Sequence, residues 1–501
     1  MKKYKKQRFL VFIMIFAILI NLLTLTLTVS ATASPVYLSL GDSIASGYAL
    51  TSKDDGYAYL LSKNRYELAD FAVPGYDTSD LLKQLSDTSN SALQSAVSNA
   101  SLITVSIGGN NFLKPLMSIA QTMNIEDIAA NLPDDIKNNP NLTNPSNPSN
   151  STNSTNPMDS IDVGSLMSLV TVLNKYFTPG TNEYAEFTKA LDAGTEQFES
   201  DLDKILAIFS KNKNAKIVFL TVYNPYKDFG LSYIKGLDTM TELYIGKINK
   251  IITDKSNSNQ KYTVADIHSA FQNSALKVSN ADVASMNMDV HPNVAGHKLI
   301  YKIIAHSIGV SIYFDDMGGD AWAVEYVDDL FDRNIMFGTN TQNREFSPKS
   351  ELKNCDLAVL LVRTLKLKIE DSDVADVNLP FSDADKIESY AFNSVKACYK
   401  AGLYSDLYPA GKTYEFGPQN AAKRIDVALM VVQLIDKSRW SNKKPVYSDL
   451  NGVSEAYYPA LSTLYEYGIM TGSPDKTLNP FGGLTRAQVA KILYSILNSK
   501  Q

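Results

Sequence analysis

The sequence has few of the residues that build disulfide scaffolds and metal centres. Its 501 residues include two cysteines and four histidines. So few cysteines exclude a disulfide framework and a structural zinc cluster, but leave open whether Cys355 and Cys398 form one bridge or stay unpaired. Histidine-based chemistry has only four candidates, which are His268, His291, His297 and His306.

A strong charge of either sign is also absent. The net charge of -6 at pH 7 gives no basic surface of the kind that binds nucleic acid, so no nucleic-acid partner is expected. Hydrophobic residues make up 45% and charged residues 20%, an ordinary balance for folded domains. The chain is longer than one hydrophobic core usually supports, so two or three domains are expected.

The N-terminus has the layout of a secretory signal peptide. A lysine-rich head ending at Arg8 precedes an apolar run from Phe9 to Val29, and a small-x-small site follows at Ala31-Thr32-Ala33. This pattern predicts a signal peptide over residues 1–33, cleaved after Ala33. The alternative is an uncleaved membrane anchor, because the apolar run reaches the roughly 20 residues that span a bilayer. Either way, the rest of the chain is expected outside the cytoplasmic membrane.

Residues 35–309 alternate short apolar runs with longer amphipathic ones, which predicts an α/β fold. Such an order gives a parallel sheet with helices on both faces and an active site at the carboxyl ends of the strands. A segment of almost only Asn, Pro, Ser and Thr, residues 138–157, is predicted to be a disordered loop. The predicted strands are Val36–Leu40, Tyr66–Val73, Leu102–Ile107, Lys216–Val222 and Tyr262–Ile267. The predicted helices are Thr78–Ser98, Glu183–Lys211 and Asp238–Lys255.

The first predicted strand ends at a candidate nucleophile. In Leu40-Gly41-Asp42-Ser43-Ile44-Ala45-Ser46-Gly47-Tyr48, Ser43 follows the strand directly, where a substrate carbonyl can reach it. Taken alone, such a serine is more often an ordinary turn residue that caps the next helix.

Three further loops are expected on the same edge of the sheet and supply what acyl transfer needs. Gly75 follows the second predicted strand and offers an unhindered backbone N–H. Asn110 follows the third and offers a side-chain amide donor. His291, just before the last predicted helix, offers a general base that Asp289 could orient.

These residues, in this order, resemble the SGNH or GDSL family of serine hydrolases, named for Ser, Gly, Asn and His in four separate blocks. The resemblance covers residues 35–310 and implies a three-layer, flavodoxin-like α/β domain. It implies that Ser43 is the nucleophile and His291 the base, and that Ser43, Gly75 and Asn110 form the oxyanion hole. Neither a metal nor a cofactor is needed for this chemistry.

The sequence departs from the family pattern in two places. The family usually has Asp three residues before its His, where this chain has Met288, and Asp289 lies two residues before. Either Asp289 or a backbone carbonyl could therefore orient His291. The second departure is Asn111, in place of a frequent Asp, and it is expected to support the loop. The pair Asp266 and His268 is the second choice for the base.

The chain after Gly309 repeats itself about every 66 residues. Each repeat starts with an aromatic-x-Asp motif and continues with a helical pattern, a turn and a second helix. This predicts an all-α region of three modules at 311–372, 378–440 and 444–501, and such repeats usually bind rather than catalyse. The motifs are Phe314-Asp315-Asp316, Phe381-Ser382-Asp383 and Tyr447-Ser448-Asp449.

The repeats resemble S-layer homology (SLH) modules, whose pattern has Thr-Arg-Ala-Glu at the second helix. The third repeat fits best, with Leu484-Thr485-Arg486-Ala487-Gln488. The resemblance implies a three-lobed helical bundle that binds secondary cell-wall polysaccharide, with Arg424 and Arg486 gripping anionic groups. Because the first repeat has Asn354 at that position, the other two are expected to carry most of the binding. Trp322 is expected in the core rather than against a sugar.

The sequence thus predicts a secreted serine esterase or lipase attached to the bacterial cell wall or S-layer surface. It would hydrolyse carboxylic esters of lipids or acylated sugars through an acyl-enzyme. A close alternative is a carbohydrate (acetyl) esterase acting on wall or plant polysaccharide. An alternative of another class is a non-catalytic surface polysaccharide-binding protein with a degenerate hydrolase domain.

Overall fold

The structure, a computed structural model, describes residues 34–122, 174–226, 236–259, 261–282, 287, 289–409 and 411–499. The chain divides into two compact units, one up to Lys298 and one from Leu299. The predicted signal peptide at 1–33 and the predicted disordered loop at 138–157 lie outside the described residues. Among the helices that are described, none is long and apolar enough to cross a membrane.

The first unit is built on one parallel sheet of five strands. The strand order is β2-β1-β3-β4-β5, and every neighbouring pair is parallel. This is the flavodoxin-like order, with a topological switch point between β1 and β3. All five predicted strands are present, at Val36–Gly41 (β1), Glu67–Asp70 (β2), Ala100–Ser106 (β3), Lys216–Leu220 (β4) and Thr263–Ala265 (β5).

The central strands are buried on both faces. From Tyr37 to Gly41 every residue of β1 is buried, and β3 and β4 show nearly unbroken burial. Since successive side chains point to opposite faces, this pattern requires helices on both sides of the sheet, as the predicted three-layer fold has. The helices of this unit are Tyr57–Ser62 (α1), Thr78–Ser86 (α2), Ser91–Asn99 (α3), Gly109–Thr122 (α4), Asn182–Phe209 (α5), Leu237–Asn259 (α6) and Ile267–Gln272 (α7). Helix Val294–Ser307 (α8) contains the division between the units.

The predicted helix Thr78–Ser98 is wrong in one respect, because the structure has two helices there. Helix α2 ends at Asp87, whose side chain accepts a hydrogen bond from the Ser89 N–H at 2.9 Å. Helix α3 then starts from Asn90, whose side chain caps the Leu93 N–H. Short polar side chains of this kind compete with helical hydrogen bonds, and the apolar periodicity does not report that break.

The second unit is all-α, and its three repeats meet in a closed ring of backbone hydrogen bonds. The Leu352 N–H donates to the Leu484 carbonyl at 2.9 Å, the Leu484 N–H to the Ala422 carbonyl at 2.9 Å, and the Ala422 N–H to the Leu352 carbonyl at 2.8 Å. One apolar core includes residues of all three repeats. Its helices are Val324–Asp332 (α9), Asn354–Leu365 (α10), Asp371–Val374 (α11), Ser389–Lys400 (α12), Arg424–Val432 (α13), Tyr458–Glu466 (α14) and Arg486–Asn498 (α15).

The aspartate of each aromatic-x-Asp motif holds the loop that precedes the second helix of its own repeat. In the first repeat, Asp316 accepts hydrogen bonds from the N–H groups of Phe346 and Ser347 at 2.8 and 2.7 Å. A carboxylate suits this role because its two oxygens accept in parallel. The equivalent bonds join Asp383 to the N–H groups of Phe416 and Gly417, and Asp449 to those of Leu478 and Asn479.

Two smaller expectations are also resolved in this unit. Trp322 was expected in the core, but its side chain is 49% exposed, because it lies on a short 3-10 turn rather than on the buried face of a helix. Cys355 and Cys398 are both buried free thiols, so no bridge joins them. They pack as small apolar groups in the core.

Candidate active site

Ser43 lies on a tight turn at the carboxyl end of β1. Gly41 ends the strand with a φ of +130°, and a Cβ there would lie 1.9 Å from the Ser106 carbonyl oxygen, so only glycine fits. The Ser43 carbonyl accepts a hydrogen bond from the Tyr48 N–H at 2.9 Å, which closes the turn. Ser43 itself is partly exposed, as a nucleophile must be.

Asp42 supports this turn from inside the protein. It is buried, and its Oδ1 accepts a hydrogen bond from the Ile44 N–H at 3.0 Å and lies 3.5 Å from the Ser106 Oγ. Burial raises the pKa of Asp42 to about 7, although these hydrogen bonds act in the opposite direction. The carboxyl group next to the candidate nucleophile is therefore partly neutral around neutral pH.

Two of the three candidate oxyanion donors, Gly75 and Asn110, lie on loops that are bonded to neighbouring segments. Gly75 has a φ of +85° and open space around its Cα, and the Val73 N–H ties its loop to the Gly41 carbonyl at 2.9 Å. Asn110, in the first turn of α4, donates from Nδ2 to the Tyr76 carbonyl at 2.8 Å. An amide nitrogen carries two hydrogens, so this bond sets the plane of the group and uses one of them.

Asn111, the residue expected to support this loop, is buried between three segments. Its Oδ1 accepts from the Thr78 N–H at 3.3 Å, and its Nδ2 donates to the Thr78 Oγ1 at 3.0 Å and the Gly194 carbonyl at 3.3 Å. These bonds join the start of α4 to α2 and α5.

His291 and Asp289 form a direct pair. The distance between His291 Nδ1 and Asp289 Oδ1 is 2.5 Å, and the same oxygen accepts from the His291 backbone N–H at 3.1 Å. The other carboxylate oxygen accepts from Asn280 Nδ2 at 2.8 Å. Burial alone would raise the pKa of Asp289, but these hydrogen bonds outweigh it and lower that pKa, so the group stays charged. A two-residue offset therefore still brings the carboxylate to the imidazole.

The second-choice pair, Asp266 and His268, is not assembled in this way. His268 Nε2 lies 2.8 Å from Glu242 Oε1, on helix α6. Asp266 instead caps α7 by accepting from the Ser269 N–H at 3.1 Å. Each side chain thus has a different partner.

The remaining two histidines have structural surroundings. His297 is fully buried, and its Nδ1 accepts from the Tyr57 N–H at 3.3 Å. Burial, with a smaller contribution from His291, lowers the pKa of His297 to about 4, so this ring is neutral near pH 7. In the second unit, His306 Nε2 lies 2.9 Å from the buried carboxylate of Asp328.

Two tyrosines that lie outside the candidate catalytic set, Tyr48 and Tyr223, contact the His291 loop. Tyr48, at the end of the Ser43 turn, packs its ring on that of His291 with the centroids 4.8 Å apart. Tyr223, after β4, donates a hydrogen bond from its hydroxyl to the Val290 carbonyl. Tyr48 closes the quoted motif, but no local signal distinguishes Tyr223 from any other aromatic that follows a strand.

A small apolar pocket of about 40 Å³ opens beside these loops. Three of its lining residues are the immediate chain neighbours of Ser43, Asn110 and His291, so the three loops converge on one place. The remaining lining residues come mainly from α4, α6 and the loop after β4. The full set is Ile44, Gly109, Phe112, Leu113, Val222, Tyr223, Pro225, Tyr226, Thr241, Ile245 and Val290.

In the second unit, the two arginines predicted to bind polysaccharide reach across to another repeat. Arg424 donates to the Leu478 carbonyl at 2.9 Å and to Gln488 Oε1 at 2.8 Å. Arg486 donates to the Phe346 carbonyl at 2.8 Å. These bonds join the repeats, and binding of a ligand by the same side chains stays a prediction.

The first repeat completes the same pattern without an arginine. Asn354 Nδ2 donates to the carbonyls of Phe416 and Gly417, at 3.0 and 3.1 Å. An open groove of about 310 Å³ also lies in this repeat. It is lined by Asp316, Gly319, Asp320, Ser347, Pro348, Lys349 and Ser350.

Among curated proteins, the relatives found share only part of this chain. It is 27% identical over 189 residues to an endoglucanase of Bacillus sp. (strain KSM-635), an alignment that covers 37% of this chain and 18% of the relative. It is 26% identical over 183 residues to an amylopullulanase of Thermoanaerobacterium thermosulfurigenes, covering 36% and 9%. The chain therefore spans less than a fifth of the length of these relatives.

Several solved structures resemble 55% of the chain at low identity. A lipase from a goat rumen metagenome is 15% identical, with 97% of that chain covered and a TM-score of 0.34. An extracellular lipase from Streptomyces rimosus is 18% identical, with full coverage of that chain and a TM-score of 0.32. A phospholipase A1 from Streptomyces albidoflavus NA297 is 18% identical, with full coverage and a TM-score of 0.31. At these scores the similarities add no argument of their own.

The family matches, by contrast, cover most of the first unit and two segments of the second. Residues 39–299, more than half of the chain, match the GDSL-like Lipase/Acylhydrolase family, and residues 380–428 and 446–490 match the S-layer homology domain. The first match contains every residue of the site described above. The chain belongs to the GDSL-like lipase/acylhydrolase family, and its C-terminal region carries S-layer homology domains.

Proposed function

We propose that this protein is a secreted, wall-attached serine esterase that acts through a covalent acyl-enzyme. Its proposed substrates are carboxylic esters whose acyl chain is longer than acetyl. The observation that carries the proposal is the 2.5 Å contact between Asp289 and His291, beside the turn that bears Ser43. A degenerate, purely binding domain has no need of an ionised carboxylate held on a base. Labelling of Ser43 by a fluorophosphonate probe tests the proposal.

In the proposed reaction, His291 takes the proton of the Ser43 hydroxyl as its oxygen attacks the ester carbonyl carbon. The oxyanion of the tetrahedral intermediate accepts hydrogen bonds from the N–H groups of Ser43 and Gly75 and from the Asn110 amide. The C–O bond then breaks, and the alcohol leaves with the proton held on His291. Water, deprotonated by His291 in turn, attacks the acyl-enzyme and releases the acid. Asp289 stabilises the imidazolium in both halves of the cycle.

The apolar pocket supports an acyl chain rather than an acetyl group as the preferred acid part. Its walls are almost entirely carbon, and it opens beside the loops that bear Ser43, Asn110 and His291. Each methylene buried there contributes about 0.8 kcal/mol, or roughly fourfold in kcat/KM. An acetyl group leaves the pocket unfilled and gains none of this.

A pocket-filling variant tests the acyl-chain assignment. Ile245 is buried in the pocket wall, and Ile245→Phe should lower kcat/KM for octanoyl esters by about tenfold or more, because about two to three methylenes lose their place. Acetyl esters should be hydrolysed nearly as before. The measurement is kcat/KM across a series of p-nitrophenyl esters from acetyl to dodecanoyl.

Leu243→Phe is the matched control, because Leu243 lies on the same helix with a side chain that is 52% exposed. It should leave the chain-length profile unchanged. A flat profile in the unmodified protein, together with faster cleavage of acetylated sugars, would contradict the acyl pocket and favour the acetyl esterase alternative.

The C-terminal region is proposed to hold three SLH modules, the first at residues 311–372. That repeat lies outside the residues matched to the S-layer homology domain. It nevertheless takes the same part as the other two repeats in the ring of hydrogen bonds through Leu352, Ala422 and Leu484. The Asp316 carboxylate of the first repeat also accepts the same pair of hydrogen bonds as Asp383 and Asp449 accept in the other two. The proposed ligand is secondary cell-wall polysaccharide, and the groove beside Lys349 gives the first repeat a part in binding it.

The proposed attachment predicts weaker wall binding when the two arginines lose their charge. Arg424→Gln with Arg486→Gln should weaken binding of the full chain to isolated sacculi by about tenfold or more, since each charge-assisted hydrogen bond contributes about 1.5 to 3 kcal/mol. Arg333→Gln serves as control, because it removes an exposed guanidinium that bonds to Asp329 and Asn498 and lies outside the two motifs. Unchanged sacculus affinity in a double variant with native helix content would contradict the binding role.

A further inference from the structure

We propose that Tyr223 is a positioning residue for the general base, so that one side chain both forms a wall of the acyl pocket and holds the loop of His291. This inference rests on the proposed function. Tyr223 lies in the segment 221–226, which follows β4. This segment is outside the four family motifs, so the motifs assign Tyr223 no role.

The contact that carries the inference is a hydrogen bond from the Tyr223 hydroxyl to the Val290 carbonyl. Val290 stands between Asp289 and His291 in the chain. Its carbonyl belongs to the peptide plane that leads directly into His291, so a bond there fixes the direction in which the imidazole leaves the backbone. The Tyr223 side chain is 4% exposed, so water does not compete well for this bond.

Tyr223 can hold the loop because it is itself held from two sides. The backbone of the preceding residue, Val222, is bonded through both its N–H and its carbonyl to the Asn249 side chain, at 2.7 and 2.8 Å. The Tyr223 ring packs on Phe271 of helix α7 with the centroids 4.3 Å apart. Contacts with helices α6 and α7 therefore hold the Tyr223 hydroxyl in place.

The loop has a second attachment on its other side. Asn280 donates its backbone N–H to the His291 carbonyl at 2.8 Å and its side-chain amide to Asp289 at 2.8 Å. The segment 289–291 is thus bonded to two separate parts of the chain, through Tyr223 and through Asn280. Without Tyr223, the peptide plane before the imidazole loses the bond at its carbonyl and keeps the bond from the His291 N–H to Asp289 at 3.1 Å, which lies within the same short loop.

The chemistry is sensitive to such a turn. A general base must lie within about 2.6 to 3.2 Å of the proton-bearing oxygen, and small misplacements cost large factors in rate. Burial, followed by the charges of Asp42 and Asp289, raises the pKa of Tyr223 well above its usual range, so its hydroxyl remains a donor at every pH at which the enzyme works.

The same ring lines the acyl pocket next to Ile44 and Val290. An acyl chain in the pocket therefore touches the side chain that supports the base. Removing only the hydroxyl separates the two roles, because the ring stays in the wall while the bond to the loop is lost.

Tyr223→Phe is the experiment. End-point labelling with a fluorophosphonate counts the competent sites, and kcat is then expressed per labelled site. We expect kcat per site for an octanoyl ester to fall by about tenfold or more, with KM within about twofold of the starting value. The second-order rate constant of fluorophosphonate labelling should fall in parallel. Because it is a rate constant, it does not depend on how much of the protein is folded.

Tyr262→Phe is the matched control. Tyr262 is also buried and also donates its hydroxyl to a backbone carbonyl, that of Ile252, but it lies before β5, at the edge of the sheet opposite the site. It should cost stability without changing kcat per site. A Tyr223→Phe protein with unchanged kcat per site and labelling rate would overturn the inference, as would a rise in KM that accounts for the whole loss. Failure of the proposed function is distinguishable, because the unmodified protein would then neither label nor hydrolyse esters.

Discussion

Replacing Ser43 by alanine is expected to lower ester hydrolysis by about 10⁶-fold, to a rate near that of the oxyanion donors acting alone. The hydroxyl oxygen is the atom that forms the acyl-enzyme, and the other serine on this turn, Ser46, has its hydroxyl bonded to the Ser43 carbonyl at 3.0 Å. His291→Ala should cost nearly as much, because the hydroxyl is a weak nucleophile without its base. The double variant should be little worse than either single one, since the two residues act as a unit.

The measurements are kcat with p-nitrophenyl esters and covalent labelling followed by mass spectrometry of the Ser43 peptide. Ser79→Ala is the matched control, because Ser79 is an exposed serine at the start of helix α2, close in sequence to Gly75. It should retain full activity. Normal hydrolysis by Ser43→Ala would reject the serine mechanism, and absence of labelling in the unmodified, folded protein would favour the binding-protein alternative.

Asp289→Asn is expected to lower kcat by about 10⁴-fold while the protein keeps its fold. The amide fills the same space, but it no longer stabilises the imidazolium and it allows the wrong tautomer of His291. The observed 2.5 Å contact makes this loss large, whereas a backbone carbonyl as orienting group would limit the loss to a few-fold.

The pH dependence gives a second readout for the same pair. The pKa of Asp289 is lowered, so the carboxylate stays charged throughout the mildly acidic and neutral range. The stability that the charged Asp289 contributes to the folded protein is present above the pKa of the unfolded state. It is lost only as the pH falls through the lower pKa of the folded state. We therefore expect ionisation of Asp289 to add no limb to the pH profile of kcat/KM across the mildly acidic and neutral range.

Asp266→Asn and His268→Ala are the matched controls for Asp289→Asn, because they remove the other Asp-x-His pair. Both should leave kcat within about threefold, since Asp266 caps helix α7 and His268 pairs with Glu242. If His268→Ala instead abolished activity and Asp289→Asn did not, the assignment of the base would have to move to the end of β5.

The sequence could predict that the four motifs lie on loops at the ends of strands and helices, because each of them follows or precedes an element that the apolar pattern reveals. Ser43, Gly75 and Asn110 come after three adjacent strands of a parallel sheet, so their placement on one edge follows from topology. Asp289 was left open in the sequence, because whether a side chain two residues away reaches an imidazole depends on the loop conformation. The amide of Asn280 helps to hold that conformation.

The apolar periodicity does not predict some other features. The break between α2 and α3 depends on side-chain capping at Asp87 and Asn90, which competes with an otherwise continuous helical pattern. The exposure of Trp322 depends on a 3-10 turn. The sequence shows that Asp316 belongs to a repeated motif, but only the structure shows what it does, which is to accept hydrogen bonds from two backbone N–H groups.

The sequence by itself determined the α/β fold, the four-part motif and the threefold repeat, because these depend on periodicity and on residues close to one another in the chain. The tertiary structure alone decided the pairing of Asp289 with His291, the apolar pocket and the contact of Tyr223 with Val290. Each of these needs segments that are far apart in sequence to meet, and the packing of helices around the sheet sets those distances. Periodicity carries no information about these distances, so the chain alone identifies Ser43 as a candidate nucleophile but does not identify the residues that surround it.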